Sequence, residues 1–302
     1  MERVLAEIRR LITTHARPDM GTSIDGLLLS KVDSAAPGHS LTEPLLVVLA
    51  QGGKLLMLGD RAHEYRAGQY LLVTATLPVT GHFIGASART PALGMGLVLR
   101  PAAIAALLLA APARQWSRGA ADLPAIATGT AGPELLDAVS RLLRLLDYPA
   151  DATVLAPLIE QEILWRLLTG PNGDMLRQIG LADSGLAHVS RAIGWIRDNF
   201  AEPFRVGDLA RLAGMSPSAF HRHFRAITTM SPLQFQKHLR LQEARSLLVA
   251  RPGDVAGVGH LVGYDSPAQF NREYRRQFGA PPGQDAARLR ADADPIEARY
   301  LP

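Results

Sequence analysis

The last third of the chain carries one helical pattern twice, and few folds accommodate that. The first copy is VGDLARLAGMSPSAFHRHFRAI (206–227) and the second is DVAGVGHLVGYDSPAQFNREYRRQFGAPP (254–282). In the first, Asp208 stands at a helix start suited to an N-cap. Leu209, Leu212 and Ala213 form an apolar face. Gly214 falls where a tight turn needs positive φ. Ser216 then caps a second helix and Pro217 takes its first position. Phe220 and Phe224, four residues apart, share the buried side of that helix. In the second copy Gly263 is the turn glycine, and Ser266 and Pro267 repeat the cap with one extra turn residue. Phe270, Tyr274 and Phe278 repeat the aromatic stripe.

The faces opposite the aromatics suggest a partner. The first presents Ser218, His221, Arg222 and Arg225; the second carries Gln269, Asn271, Arg272, Arg275 and Arg276. Gln269 and Arg272, three apart, fall on one side of a helix. Gln pairs bidentately with adenine, and Arg with guanine, in a major groove. Residues 232–250 read as a long helix between the copies. Such a spacer holds two recognition helices about 34 Å apart, one turn of B-DNA. One copy alone is compatible with an ordinary helical hairpin bearing a solvated basic face; two copies matching in turn, cap, aromatic and arginine positions are not.

Charge agrees in distribution rather than in sum. Residues 1–181 carry 16 Lys/Arg against 16 Asp/Glu, whereas 183–290 carry 15 against 9. A local basic excess is the expected footprint of polyanion binding. There are no cysteines. Disulfides, thiolate nucleophiles and Cys-ligated zinc are therefore excluded, and a reducing cytoplasm suits the chain. The first residues carry too many charges for a secretory signal. Leu5, Ile8, Leu11 and Ile12 instead predict an amphipathic helix. The apolar stretch Pro101 to Ala113 is shorter than the roughly 20 residues that span a bilayer.

Residues 22–100 read as β-structure, with apolar runs at 27–29, 45–49, 55–58 and 70–73 separated by Gly and Pro signals. Gly59-Asp60 reads as a hairpin tip. Residues 101–110, 134–147 and 154–168 read as helices, with 112–132 an irregular connection. The leucine-rich faces at 134–147 and 154–168 suit either a dimer interface or packing on the β-structure, with Trp165 in the core. GPNGD (170–174) is the best linker candidate. The domains expected are 1–169, a linker at 170–184, and a helical domain at 185–290.

The segments GYDSPAQFNREYRRQFGAPP (263–282) and GMSPSAFHRHFRAI (214–227) resemble the DNA-binding domain of the AraC/XylS family of bacterial transcription regulators. EPLLVVLAQGGKLLMLGD (43–60), Tyr65-x-x-Gly68-x-Tyr70 and LPVTG (77–81), with Ala86-Ser87 before Pro91, resemble the N-terminal domain of one of its subgroups. The resemblance implies a multidomain α+β chain. Its N-terminal part would be a cupin-like β-barrel with flanking helices that senses a small-molecule effector or assists dimerisation. Its C-terminal part would be an all-α domain of two helix-turn-helix units. It implies that Ser218, His221 and Arg222 face bases in one groove and Gln269 and Arg272 in the next. Arg225, Arg275 and Arg276 would lie nearer phosphates, and Ser216, Ser266 and Asn271 complete the candidate set. The implied partners are double-stranded promoter DNA, an effector, a second copy, and RNA polymerase if the outcome is activation. No membrane partner or cofactor is implied, and the expected location is cytoplasmic. The chain departs from the family at Gly257, Gly259 and His260, where helix formers are usual. Each internal Gly costs about 1 kcal/mol relative to Ala, which predicts a looser second unit.

Three other readings compete. A cupin-type metal-dependent enzyme fused to a DNA-binding tail would need ligands from His39, His63, Glu64 and His82. These lack His-x-His spacing, and adjacent His63 and Glu64 point to opposite faces of a strand. Alkyl repair of DNA needs a cysteine acceptor, which the chain lacks. A sequence-indifferent architectural protein would show more lysine than the mixed Gln, Asn, His and Arg faces offer.

Overall fold

The computed structural model describes residues 1–110 and 123–291. Among the described residues the chain divides into two compact units, Met1–Ala187 with Ala226–Thr229, and His188–Arg225 with residues 230–291.

The first unit is built on two antiparallel sheets. One has the order β1 (Leu27–Val32), β8 (Ala92–Val98), β3 (Leu45–Gln51), β6 (Gln69–Val73) and β9 (Ile126–Thr130). The other runs β2 (Gly38–Leu41), β7 (Pro78–Ile84), β4 (Gly53–Leu58) and β5 (Arg61–Arg66). The sheets do not join into one closed barrel; edge strand β5 lies against edge strand β9. The hairpin expected at Gly59-Asp60 forms, with Leu58 opposite Arg61. Central strands β3 and β8 are buried almost throughout, because both faces of their sheet are covered.

One face of the larger sheet packs against helices. In α1 (Glu2–His15) the buried residues are Leu5, Ile8, Leu11 and Ile12, the stripe the sequence predicts. In α3 (Pro133–Arg144) Leu135, Leu136, Val139, Leu142 and Leu143 join the same core, followed by Leu146 in a 3-10 turn. Packing therefore takes up this leucine face. The next helix, α4 (Pro149–Leu168), buries Ile163, Leu164 and Leu167 but leaves Leu155 and Leu158 exposed and Trp165 half-buried. Trp165 is thus at the margin of the core, not inside it.

Two segments differ from expectation. Within the expected irregular connection, residues 123–132 are described, and Ile126–Thr130 form β9, paired in register with β6. Residues 112–122, and the end of the stretch Pro101 to Ala113, lie outside the described residues; α2 covers Pro101–Ala110. The expected linker 170–184 is instead largely helical, with α5 at Gly173–Gly180 packed on α2. Asn172 donates to the Tyr70 hydroxyl (3.0 Å) and to Thr128 O (3.3 Å). These bonds pin the Gly-Pro-Asn-Gly turn to β6 and β9, so a breaker cluster marks a tertiary corner and not a free connection.

Lys54 on β4 is 3% exposed. It sits in register between Tyr65 and Phe83, with its ammonium 4.4 Å from the Phe83 ring centroid. Burial pushes the Lys54 amine down to about 7.

The second unit is helical: α6 (Gly185–Asp198) leads into it, followed by α7 (Val206–Leu212), α8 (Pro217–Thr228), α9 (Pro232–Ala250), α10 (Val255–Leu261), α11 (Pro267–Phe278) and α12 (Pro282–Ala291). The long α9 begins with a capping box in which Ser231 and Gln234 satisfy each other's backbone N–H groups. Asp285 of α12 is fully buried and accepts from Arg245 Nε (2.9 Å), the Tyr274 hydroxyl (2.9 Å) and Arg288. It ties α9, α11 and α12 together.

Candidate nucleic-acid interface

Both repeats form helix-turn-helix units. The turn glycines Gly214 and Gly263 have φ of 67° and 88°, the left-handed region that a side chain would disfavour. Ser216 accepts from Ala219 N–H and Ser266 from Gln269 N–H, each at 3.3 Å. Pro217 and Pro267 take the first helical positions of α8 and α11. Two local readings are corrected. α7 begins at Val206 after Arg205, and Asp208 sits inside its first turn, paired with Arg211, so it is not the cap. Leu212 is 45% exposed, as is its counterpart Leu261 at 49%. A two-turn helix offers the core only Leu209, Ala210 and Ala213.

The aromatic stripes point inward. Phe220, Phe224, Phe270 and Tyr274 are all at most 1% exposed. Phe224 meets Phe220 at 5.4 Å and, edge-on, Phe235 of α9 at 5.6 Å. In α11, Phe270 meets Tyr264 at 5.3 Å and Tyr274 at 5.6 Å, and half-buried Phe278 continues the row. Because these rings anchor one side of each helix, the other side faces solvent. Ser216, Ser218, His221, Arg222 and Arg225 are exposed on the first unit, and Gln269, Asn271, Arg272, Arg275 and Arg276 on the second. Ser266 is partly covered by its capping bond. Asn271 turns its amide back to donate to Pro267 O at 2.8 Å, so one of its donors is engaged on its own helix.

The glycines of α10 have a packing reason. A Cβ on Gly259 would lie 3.1 Å from the Phe270 ring, and one on Gly257 would collide with the Asp254 carboxylate that caps Gly257 N–H. Close approach of α10 to α11 thus accounts for Gly259, and the N-cap carboxylate of α10 itself accounts for Gly257.

Sequence reasoning missed the side chains that hold the turns. Arg240 of α9 donates to Gly263 O (2.7 Å), Phe200 O (2.7 Å) and Ala201 O (2.9 Å). Arg191 of α6 donates to Ala213 O at 3.2 Å, and the ring of His188 meets the same oxygen at 2.6 Å. It also missed Glu273, whose carboxylate accepts from Tyr264 and Gln269. The usable signal was the repeat itself, since Arg191 and Arg240 align when the two copies are superposed.

The proposed metal ligands of the β unit are not a cluster. Glu64 and His82 both pair with Leu55, while His63 pairs with Leu56 on the opposite face. His39 is hydrogen-bonded to Thr80 at 2.7 Å. Among the described residues no group of three His, Cys, Asp or Glu side chains could hold a metal ion. Nor is any described helix long and apolar enough to cross a membrane.

A β unit followed by two helix-turn-helix units with outward basic faces defines a two-part protein of the DNA-binding class. Residues 23–175 match the family model of the AraC-type transcriptional regulator N-terminus, and residues 209–288 match a helix-turn-helix domain model. The chain belongs to the AraC family. It is similar to the transcriptional regulator ExsA of Pseudomonas aeruginosa, at 26% identity over 54% of this chain and 58% of that protein. It is also similar to the transcriptional activator RhaS of Pectobacterium carotovorum, at 28% identity over 31% of this chain and 34% of that protein. The matches thus span from about a third to under two thirds of these curated relatives. ToxT of Vibrio cholerae, solved with an unsaturated fatty acid bound, shares the fold with a TM-score of 0.53 and 8% identity, covering 86% of this chain and 94% of that one.

Proposed function

We propose that this protein is a sequence-specific, DNA-binding transcription regulator of the AraC/XylS type, with no catalytic step of its own. Residues 185–290 act as the DNA-binding domain, and α8 and α11 enter successive major grooves of promoter DNA. Residues 1–169 act as an effector and dimerisation domain in the cytoplasm. The effector is a small molecule, a reading that draws on the AraC-type N-terminal match and on the ligand carried by ToxT. RNA polymerase is a further partner if the outcome is activation.

The observation that carries the proposal is the matched exposure of Arg222 and Arg272, each held outward by a buried aromatic stripe at the same register of its helix. Arg paired with guanine supplies direct base readout, while Arg225, Arg275 and Arg276 supply phosphate contacts. The test is a gel-shift titration on the promoter region of its own gene, with non-specific duplex as competitor. Arg222→Ala and Arg272→Ala should each weaken specific binding by roughly 1–3 kcal/mol and relax preference at one operator position. Unchanged specific binding in both variants would overturn the assignment of base-reading residues.

A further inference from the structure

α11 carries one acidic side chain within its basic face. Glu273 stands next to Arg272 and close to Arg275 and Arg276, where a carboxylate opposes the attraction of a polyanion. Its two oxygens are engaged differently. Oε2 accepts from the Tyr264 hydroxyl at 2.9 Å. Oε1 accepts from Gln269 Nε2, one helical turn earlier, at 3.5 Å, the outer limit of a hydrogen bond. Tyr264 is itself fixed: it is 5% exposed, its ring packs on Phe270, and the guanidinium of Arg240 lies 5.9 Å from its centre. Burial and the bond to Glu273 push the Tyr264 phenol upward, so it stays a donor at any working pH. These side chains line an open cleft of about 170 Å³ beside α11, which leaves Gln269 room to rotate unless something holds it.

An ionised carboxylate accepts hydrogen bonds and donates none. It therefore tolerates only the amide nitrogen of Gln269, never the amide oxygen. We infer that Glu273, anchored by Tyr264, is a positioning residue that fixes the Gln269 amide in one of its two orientations and so sets which base the second recognition helix prefers. With one amide hydrogen on Glu273, Gln269 presents its carbonyl oxygen and its other hydrogen to the groove. One acceptor beside one donor complements adenine, whose major-groove edge offers an N6 donor and an N7 acceptor. Guanine offers two acceptors there and does not match. This inference rests on the proposed DNA-reading role of α11.

The test is selection of bound duplexes from a randomised library by the full-length protein, followed by competition titrations at each selected position. Wild type should prefer adenine at one position by about tenfold or more. Gln269→Ala should abolish that preference. Glu273→Ala and Glu273→Gln should reduce it at least threefold, the second because a neutral amide accepts either orientation of Gln269. Tyr264→Phe should reduce it less. Affinity for random duplex should rise in both Glu273 variants through loss of a negative charge, so the discrimination ratio is the deciding readout; thermal unfolding checks that each variant is folded. If Gln269→Ala erases a base preference that both Glu273 variants retain, the positioning role is overturned while the DNA-reading role stands. If wild type selects no sequence, or Gln269→Ala changes no preference, α11 does not read bases through Gln269 and both readings fall at that position.

Discussion

Arg191 and Arg240 occupy the same place in successive repeats and do the same thing: each reaches from the helix ahead of a helix-turn-helix unit to a backbone carbonyl at that unit's turn. Arg191 donates to Ala213 O and Arg240 to Gly263 O. The repeat is therefore longer than the two-helix motif. It includes a leading helix, α6 or α9, whose arginine satisfies a carbonyl left open where the short helix ends.

The two latches should differ in strength. Arg240 satisfies three carbonyls from a half-buried position, where burial lowers its pKa, while Arg191 is exposed. Arg240→Ala should destabilise the protein by on the order of 2 kcal/mol, because three part-buried carbonyls lose a charged donor. Arg191→Ala should cost about 1 kcal/mol or less. Urea denaturation of both variants compares them directly; equal losses would contradict the description of Arg240 as the principal anchor.

Glycines in two helices should respond oppositely to the same change. Gly194 of α6 has open space where a Cβ would go, so Gly194→Ala should stabilise by about 1 kcal/mol. Gly259 of α10 faces the Phe270 ring at 3.1 Å, and Phe270 is held by Tyr264 and Tyr274 and cannot move aside. Gly259→Ala should lose stability, since overpacking of roughly 1–3 kcal/mol outweighs the gain in helix propensity. Thermal unfolding gives the sign of each.

Acid should weaken the second unit through Asp285. Burial would raise its carboxyl, but Arg245, with Tyr274 and Arg288, holds it below its ordinary 3.8. A carboxyl depressed on folding contributes stability that is full above the unfolded-state value and is lost as pH falls through the folded value. Denaturation midpoints should therefore drop below about pH 4 in wild type. Asp285→Asn should start lower at neutral pH by roughly 3–5 kcal/mol, because the Arg245 charge loses its partner, and should decline less on acidification. Parallel acid profiles for the two proteins would rule this contribution out.

Lys54 acts with the opposite sense of pH. Its amine is depressed from 10.5 to about 7, so between those values the unfolded chain binds the additional proton and stability rises with pH. Lys54→Met should stabilise the protein most below pH 7, by up to about 5 kcal/mol, with the advantage vanishing above 10.5. Thermal melts of the two proteins across pH 6 to 10 test this; a constant difference would show that the amine is not desolvated on folding.

The repeated unit was legible in the sequence because its signals are local. A cap, a turn glycine and an aromatic every fourth residue each act on chain neighbours, and Ser216, Gly214, Phe220 and Phe224 stand where their spacing predicts. The stripe of α1 and the hairpin at Gly59-Asp60 were readable for the same reason. What escaped depends on partners distant in the chain. Gly, Pro and Asn at 170–173 signal a break, but only Tyr70 and Thr128 make that break a docked corner. Thr128 and Gly129 become strand because β6 has a free edge to pair with, and Lys54 is buried because it shares the inward face of β4 with Leu56 and Leu58. The amphipathic pattern placed Gln269 and Arg272 on an outward face; it could not show that Glu273 lies within hydrogen-bond reach of the Gln269 amide. Sequence spacing fixes which side of an element a residue takes, whereas the energy of a hydrogen bond or a buried charge depends on what tertiary packing brings within about 3 Å of it.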